Sequence, residues 1–216
     1  GCRSYVNNIF IEGIEHIQSI DIKMAKALGY NIVLLGIATY KNKIMSQRVH
    51  PCMISEKSIL SQAKGVLNTL VVKTDIAESI ILVGKGAGGD PTSSSVISDI
   101  ISIAKGNKSY PFGIISSSLE SPKISDIKTR KGRFYIRIFV KDKSGVVADI
   151  SSCFKEADVS ISDLLQRESE TIDLGDVPII ITTHLTDELS MSKAIANIAS
   201  LDQVLEKPIL IRIEDL

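Results

Sequence analysis

Residues 134–157 read F-Y-I-R-I-F-V-K-D-K-S-G-V-V-A-D-I-S-S-C-F-K-E-A, and their periodicity decides the fold of the second half of the chain. Phe134, Ile136, Ile138 and Val140 alternate with a period of two, which marks a strand, and Asp142 to Gly145 supplies a turn. From Val146 to Ala157 the pattern becomes helical, with Val147, Ile150 and Phe154 on one face. Val159 to Gln166 alternates again, Glu168 to Asp176 is an acidic loop, and Pro178 to His184 is a third strand. Ser190 to Leu201 reads as a second helix whose Ala194, Ile198 and Leu201 match the stripe on the first. Val204 to Ile213 closes the set, in the ferredoxin-like order strand, helix, strand, strand, helix, strand. Gly145 stands where backbone N–H groups meet the positive end of a helix dipole, so a small carboxylate could dock there. A plain turn over Lys143-Ser144-Gly145 is the alternative.

Upstream, Asn107 to Lys128 is rich in Ser, Pro and Gly, including Ser116 to Ser118 and Pro122, and reads as a linker whose Tyr110-Pro111-Phe112-Gly113 piece is suited to packing on a neighbour. In the first half, Asn7 to Ile17 is a short extended piece, and Ser19 caps a helix from Ile20 to Leu28 closed by Gly29. Tyr30 to Tyr40 and Lys43 to Ile54 form a hairpin through the polar Lys41-Asn42-Lys43. Strands follow at Val66 to Lys73 and Ser79 to Val83. The expected class is α+β: a mixed sheet with few helices over 1–106, a linker over 107–130, and the ferredoxin-like βαββαβ module over 131–216.

Gly84 to Ile101, G-K-G-A-G-G-D-P-T-S-S-S-V-I-S-D-I-I, is the site candidate of the first half. Gly84, Gly86 and Gly89 satisfy the dinucleotide glycine spacing between a strand and a helix. The acid-bearing second strand that should follow about 20 residues on falls instead in the polar Gly106 to Tyr110. A P-loop fails too, because Asp90 and Pro91 stand where lysine and a hydroxyl residue are required. What remains is a glycine loop feeding a helix that Asp90 can cap, with Pro91 in the first turn and an apolar stripe of Val96, Ile97, Ile100, Ile101 and Ala104 ending at Gly106. A tight strand-to-helix turn without a ligand is the competing reading.

The 216 residues carry 25 basic and 25 acidic side chains, a balance that offers no general attraction to nucleic acid or anionic lipid. The short basic cluster Lys128, Arg130, Lys131, Arg133 reads as a solvated strand entry. Cys2, Cys52 and Cys153 lack the close pairs of a zinc site or disulfide framework, which fits a reducing cytoplasm, and no metal site is expected. His16, His50 and His184 stand isolated, and Glu12 and Glu15 read as solvated rather than as an acid/base pair. No run approaches the ~20 apolar residues of a membrane span, and no secretory pattern opens the chain. Its first residue is glycine, as a processed product, a tag remnant or a piece of a longer protein would have.

Several ordered blocks carry a family resemblance: Glu12-Gly13-Ile14 with Ile17, Ala25 to Tyr30, Leu34-Leu35, Arg48-Val49-His50-Pro51, Gly65-Val66, and above all Gly86-Ala87-Gly88-Gly89 with Pro91-Thr92 and Ser95-Val96 to Asp99. Together they resemble the C-terminal portion of homoserine dehydrogenase. Asp142 to Val146, Ile161 to Gln166, Val177-Pro178 and Thr183-His184 resemble the ACT domain that many bacterial members append. The resemblance implies a cytoplasmic oxidoreductase of threonine and methionine biosynthesis, interconverting L-aspartate 4-semialdehyde and L-homoserine with NAD(P)H. It assigns Gly86, Ala87, Gly88, Gly89 and Thr92 to a return loop beside the cofactor. The family's nucleotide-binding domain and its catalytic aspartate and lysine precede the region represented here, so no catalytic residue is nominated. This chain alone is expected to be inactive and to hold no cofactor tightly. The alternative is an amino-acid-sensing and dimerisation module with no catalysis of its own, threonine being the expected effector. Its contacts would be Asp142, Ser144, Gly145, Val146 and Val147 with Ile161 and Ser162 on the facing strand, in a homo-oligomer, a dimer formed through the sheet or the ACT domain.

Overall fold

A computed structural model describes residues 1–107, 109–110, 113–166 and 176–216. In chain order its elements are β1 (Phe10–Ile11), α1 (Ser19–Ala27), β2 (Tyr30–Lys41), β3 (Ile44–Ser55), β4 (Leu67–Lys73), β5 (Ser79–Lys85), α2 (Gly89–Ala104) and β6 (Lys123–Ile124). There follow β7 (Lys131–Lys141), α3 (Val146–Glu156), β8 (Ile161–Gln166), β9 (Asp176–Thr183), β10 (Thr186–Asp187), α4 (Glu188–Ala199) and β11 (Ile209–Ile213). The expected acidic loop from Glu168, and Pro111 and Phe112, lie outside the described residues. The structure is α+β, and its compact units do not follow chain order: one holds Gly1–Tyr5 and Ser55–Pro122, the other Val6–Ile54 and Lys123–Leu216.

The larger unit is organised by β7, whose alternation buries both faces. Phe134, Ile136, Ile138 and Val140 turn to one side, where Val146, Ile150, Cys153 and Phe154 of α3 and Met191, Ala194 and Ile198 of α4 complete a core. Tyr135 turns to the other side with Ile180, Ile211 and Ile213, and there Met24 and Ala25 of α1 cover the sheet. The ferredoxin-like order is present as β11-β7-β9-β8, antiparallel throughout. It does not stop at β11. Strand β3 pairs with β11 in parallel, Cys52 opposite Arg212 and Met53 opposite Ile213, and β1 and β6 pair with β3. The described residues thus form one nine-stranded sheet running from the first segment of the chain into the last. The polar stretch expected as a linker contributes β6 to that sheet, besides tight turns at Ser116–Ser118 and Ile127–Thr129.

Helix boundaries follow local chemistry. The Asp187 carboxylate caps α4 by accepting from the Ser190 N–H at 2.8 Å, while Gly145, at φ +92°, takes the left-handed geometry that opens α3. At α1 the cap residue is Gln18, not Ser19, and the Asp21 carboxylate accepts from the Gln18 N–H at 2.8 Å. An acid at the third helical position reaches back in this way where a longer cap side chain allows it.

In the smaller unit, β4 and β5 pair antiparallel from Leu67↔Lys85 to Lys73↔Ser79, and α2 follows. The apolar stripe of α2 is where the sequence placed it, but Val96, Ile97, Ile100 and Ile101 are between 47% and 58% exposed. Leu70, Leu82 and Val83 on the hairpin are likewise exposed.

Candidate functional site

Three places bear on function, and the first is the glycine loop. Gly86 donates its N–H to the Val66 carbonyl at 2.8 Å, which ties the loop to the start of β4. A Cβ at Gly86 would strike the Asn68 side chain, so only glycine fits without displacing it. Gly88 is the N-cap of α2 at φ +122°, a conformation that L side chains rarely adopt. Asp90 does not cap: the helix begins one residue before it, at Gly89, and among the described residues there is no side-chain cap. A glycine cap leaves the first N–H groups uncovered, the arrangement in which a helix start can meet an anion. Ala87 and Thr92 flank this turn, and the Thr92 N–H bonds the Gly88 carbonyl at 3.2 Å.

The second place is the turn between β7 and α3. Asp142, Ser144, Gly145, Val146 and Val147 all line one open pocket of about 580 Å³, together with Val140, Lys141, Lys143, Ala148, Gln166 and Ile179. That volume lies in the ordinary range for small-molecule sites. Of the seven residues expected to hold an effector, five meet here and two do not. Ile161 sits at the opposite end of β8, paired with Thr183, and packs against the core. The Ser162 hydroxyl donates to Asp163 at 2.9 Å, and the Thr182 hydroxyl, at 2.6 Å, with that of Ser162 holds the carboxyl below its usual range. The N–H groups of the α3 first turn, a lysine pair (Lys141, Lys143) and Asp142 give the pocket donors for a carboxylate and an acceptor for an ammonium group.

The third place was hidden from sequence reading. At the junction of β1, β3, β11 and α4, six charged side chains alternate in sign. Arg212, 4% exposed, donates to Glu188 at 2.7 and 3.1 Å and to Glu12 at 2.8 Å. Arg130 bridges Glu188 at 3.3 Å and Glu214 at 3.0 Å, and Arg48 reaches Glu214 at 3.3 Å. Phe10 stacks beneath Arg212 and Phe134 beneath Arg130. Burial works against the Arg212 charge, but the Glu188 and Glu12 hydrogen bonds outweigh it and raise its pKa.

His50 is not isolated, as its sequence neighbours suggested, but fully buried beside this network. Its Nδ1 is 3.0 Å from the Pro51 carbonyl and 3.2 Å from Cys52 Sγ, and its Nε2 lies 3.8 Å from Glu214. Burial pulls its pKa down to about 4, with Pro51 and Glu214 opposing and Arg212 and Arg48 adding to the effect. Burial also pushes Cys52 up to about 12, reinforced by Glu214. His50, Cys52 and Glu214 come close enough to share a cation. Yet both guanidinium groups already occupy the Glu214 carboxylate, and a buried dication would face three arginines, so the trio is read as packing chemistry.

Among the described residues no helix is long and apolar enough to cross a membrane. The fold defines a class: a mixed α+β segment whose sheet is continued by a ferredoxin-like βαββαβ module. Residues 1–101 match the homoserine dehydrogenase family and residues 134–203 the ACT domain. Homoserine dehydrogenase of Helicobacter pylori is 37% identical over 218 residues, covering all of this chain and 50% of that protein. That of Pseudomonas aeruginosa is 33% identical, covering 96% and 49%. A crystal structure of homoserine dehydrogenase from Thiobacillus denitrificans superposes with a TM-score of 0.84 at 31% identity, covering 99% of this chain and 49% of that one. The chain is similar to homoserine dehydrogenases over nearly all of its length, and it spans about half the length of the curated relatives it matches.

Proposed function

We propose that this chain acts as part of an NAD(P)-dependent homoserine dehydrogenase, interconverting L-aspartate 4-semialdehyde and L-homoserine in the cytoplasm as a homo-oligomer. In this reading 1–106 belongs to the catalytic domain, 107–130 connects, and 131–216 is the regulatory ACT domain. The observation that carries the reading is the glycine loop. Gly86 leaves no room for a Cβ beside Asn68, and Gly88 holds a backbone conformation that L side chains rarely adopt, at the start of a helix with no side-chain cap among the described residues. Gly86, Ala87, Gly88, Gly89 and Thr92 would lie beside the cofactor, whose nicotinamide supplies the hydride, while the loop excludes water and fixes the approach. The exposed apolar residues of β4, β5 and α2 would be covered in the assembled enzyme.

A chimera in which this chain replaces the corresponding half of the Helicobacter pylori relative tests the reading. Turnover of aspartate semialdehyde with NADPH is expected, lost in Gly88→Val, while the chain by itself gives none. A folded chimera that binds NADPH and turns over nothing would overturn it.

The β7–α3 pocket supports a second role, sensing of a small amino acid such as threonine. Asp142, Ser144, Gly145, Val146 and Val147 supply the contacts by their placement around one cavity, with Ile161 and Ser162 left outside it. Calorimetric titration of the chain with L-threonine should release heat, and Gly145→Val should abolish it. Silence at millimolar L-threonine counts against sensing and leaves the ACT domain a dimerisation element.

A further inference from the structure

A two-layer ferredoxin-like module has helices on one face of its sheet and leaves the other face bare. Here that second face is closed from within the same chain. Helix α1 lies across it, with Met24 and Ala25 buried against Tyr135, Ile180, Ile211 and Ile213. The contact is pinned by charge. Asp21, fully buried, accepts from Arg137 Nε at 2.9 Å and from the Tyr135 hydroxyl at 3.0 Å, while its other oxygen holds the Gln18 N–H. Arg137, 1% exposed, spends its remaining donors on Glu206 at 3.0 Å and the His16 carbonyl at 3.5 Å.

The strands that carry this clamp also carry the pocket. Val140 and Lys141 line the cavity three and four residues beyond Arg137 on β7, about 10 Å along an extended strand. On β9, Ile179 lines the cavity while its neighbour Ile180 faces α1. A ligand that steadies the ends of β7 and β9 therefore steadies the surface on which α1 is seated. The two states are α1 docked and α1 locally open, the kind of equilibrium that native-state exchange reads.

We propose that α1 is the element through which the ACT domain reports its ligand to the first segment of the chain, with Asp21 and Arg137 as the positioning residues that couple them. This rests on the sensing role of the β7–α3 pocket. The signal passes through the sheet and the clamp, with no need for the stretch between the two segments to swing. Because α1 runs directly into β2, tightening α1 tightens the hairpin that follows. Coupling is reciprocal: whatever factor the ligand contributes to docking, docking contributes to ligand affinity.

Hydrogen exchange of the full 216-residue chain, with and without saturating L-threonine, tests this beside calorimetry. The α1 amides should slow at least about fivefold on binding, the lower end of ordinary coupling. The double variant Asp21→Ala/Arg137→Met removes both charges together and so avoids a lone buried ion. It should still release heat with L-threonine, with Kd raised by the same factor, and its α1 amides should no longer respond. L-threonine binding with α1 exchange unchanged in the parent chain overturns the coupling and leaves the sensing role standing. A response undiminished in the double variant overturns the part given to Asp21 and Arg137. Absence of heat in the parent chain removes the sensing role and the coupling with it.

Discussion

Replacing Arg212 by Met should be among the most damaging single changes available in the larger unit. Arg212 provides two of the three hydrogen bonds to Glu188, a carboxylate 4% exposed, and removing it leaves Glu188 with Arg130 alone at 3.3 Å. Glu12 loses a partner too, but its side chain is 34% exposed and water can replace the bond. The cost is therefore that of one half-stranded buried carboxylate, about 3 kcal/mol. With a urea slope of about 2 kcal/mol/M, the midpoint should fall by roughly 1.5 M. Urea unfolding by circular dichroism, with exchange in β7 and β11 to identify the larger unit, measures it. Arg133→Met is the control, since its partner Asp215 has a side chain 73% exposed and the loss should stay below about 1 kcal/mol. The double change Arg212→Met/Glu188→Leu should cost less than Arg212→Met alone, because no carboxylate is then left stranded. An Arg212→Met protein within about 1 kcal/mol of the parent would refute the reasoning, as would a double variant less stable than the single.

His50 predicts the acid behaviour. Its folded pKa, about 4, lies below the ordinary histidine value of 6.5, so between those values the unfolded chain binds more protons and stability falls as pH is lowered through that window. Urea midpoints measured from pH 7 to pH 4 should decline, and His50→Asn should flatten the decline. Thiol labelling should discriminate sharply: Cys2 is half-buried, whereas Cys52 and Cys153 are buried with raised pKa values, so one of the three thiols should react quickly with a disulfide reagent in the native chain. Phe154→Ala, at a residue 1% exposed between α3 and the sheet, should cost about 3 to 5 kcal/mol in the same urea assay.

Local periodicity made the ACT module legible. Alternation over Phe134 to Val140 requires a strand with one apolar face, the stripe on α3 requires a helix to cover it, and chain order then leaves little choice of topology. The glycine loop was legible as a loop for the same reason, since glycine's freedom is a local property. What could not be read was whatever depends on pairing distant segments. Arg137 occupies a polar position in an alternating strand and is nonetheless buried, because α1, 116 residues earlier, lies over it. His50 gains its acidic neighbour from the far end of the chain, and Arg48 meets Glu214 across 166 residues. Nothing in the sequence around Cys52 announces that β3 will pair in parallel with β11.

The charge chain at that junction explains how the pairing holds its register. Sliding β11 by one residue against β3 would carry Arg212 from the Glu188 side of the sheet to the α1 side, because successive side chains point to opposite faces. There it would displace the apolar contacts that Ile211 and Ile213 make on the α1 side, while Glu12 and Glu188 would lose their shared partner. An apolar junction of the same size would contribute stability without so heavy a penalty for slipping. The Arg212→Met/Glu188→Leu variant separates these contributions. It should retain most of the stability, and if the charge chain sets the register, its β11 amides should show two sets of resonances where the parent shows one. A single set in that variant would place the register with the apolar contacts of Ile211 and Ile213 instead.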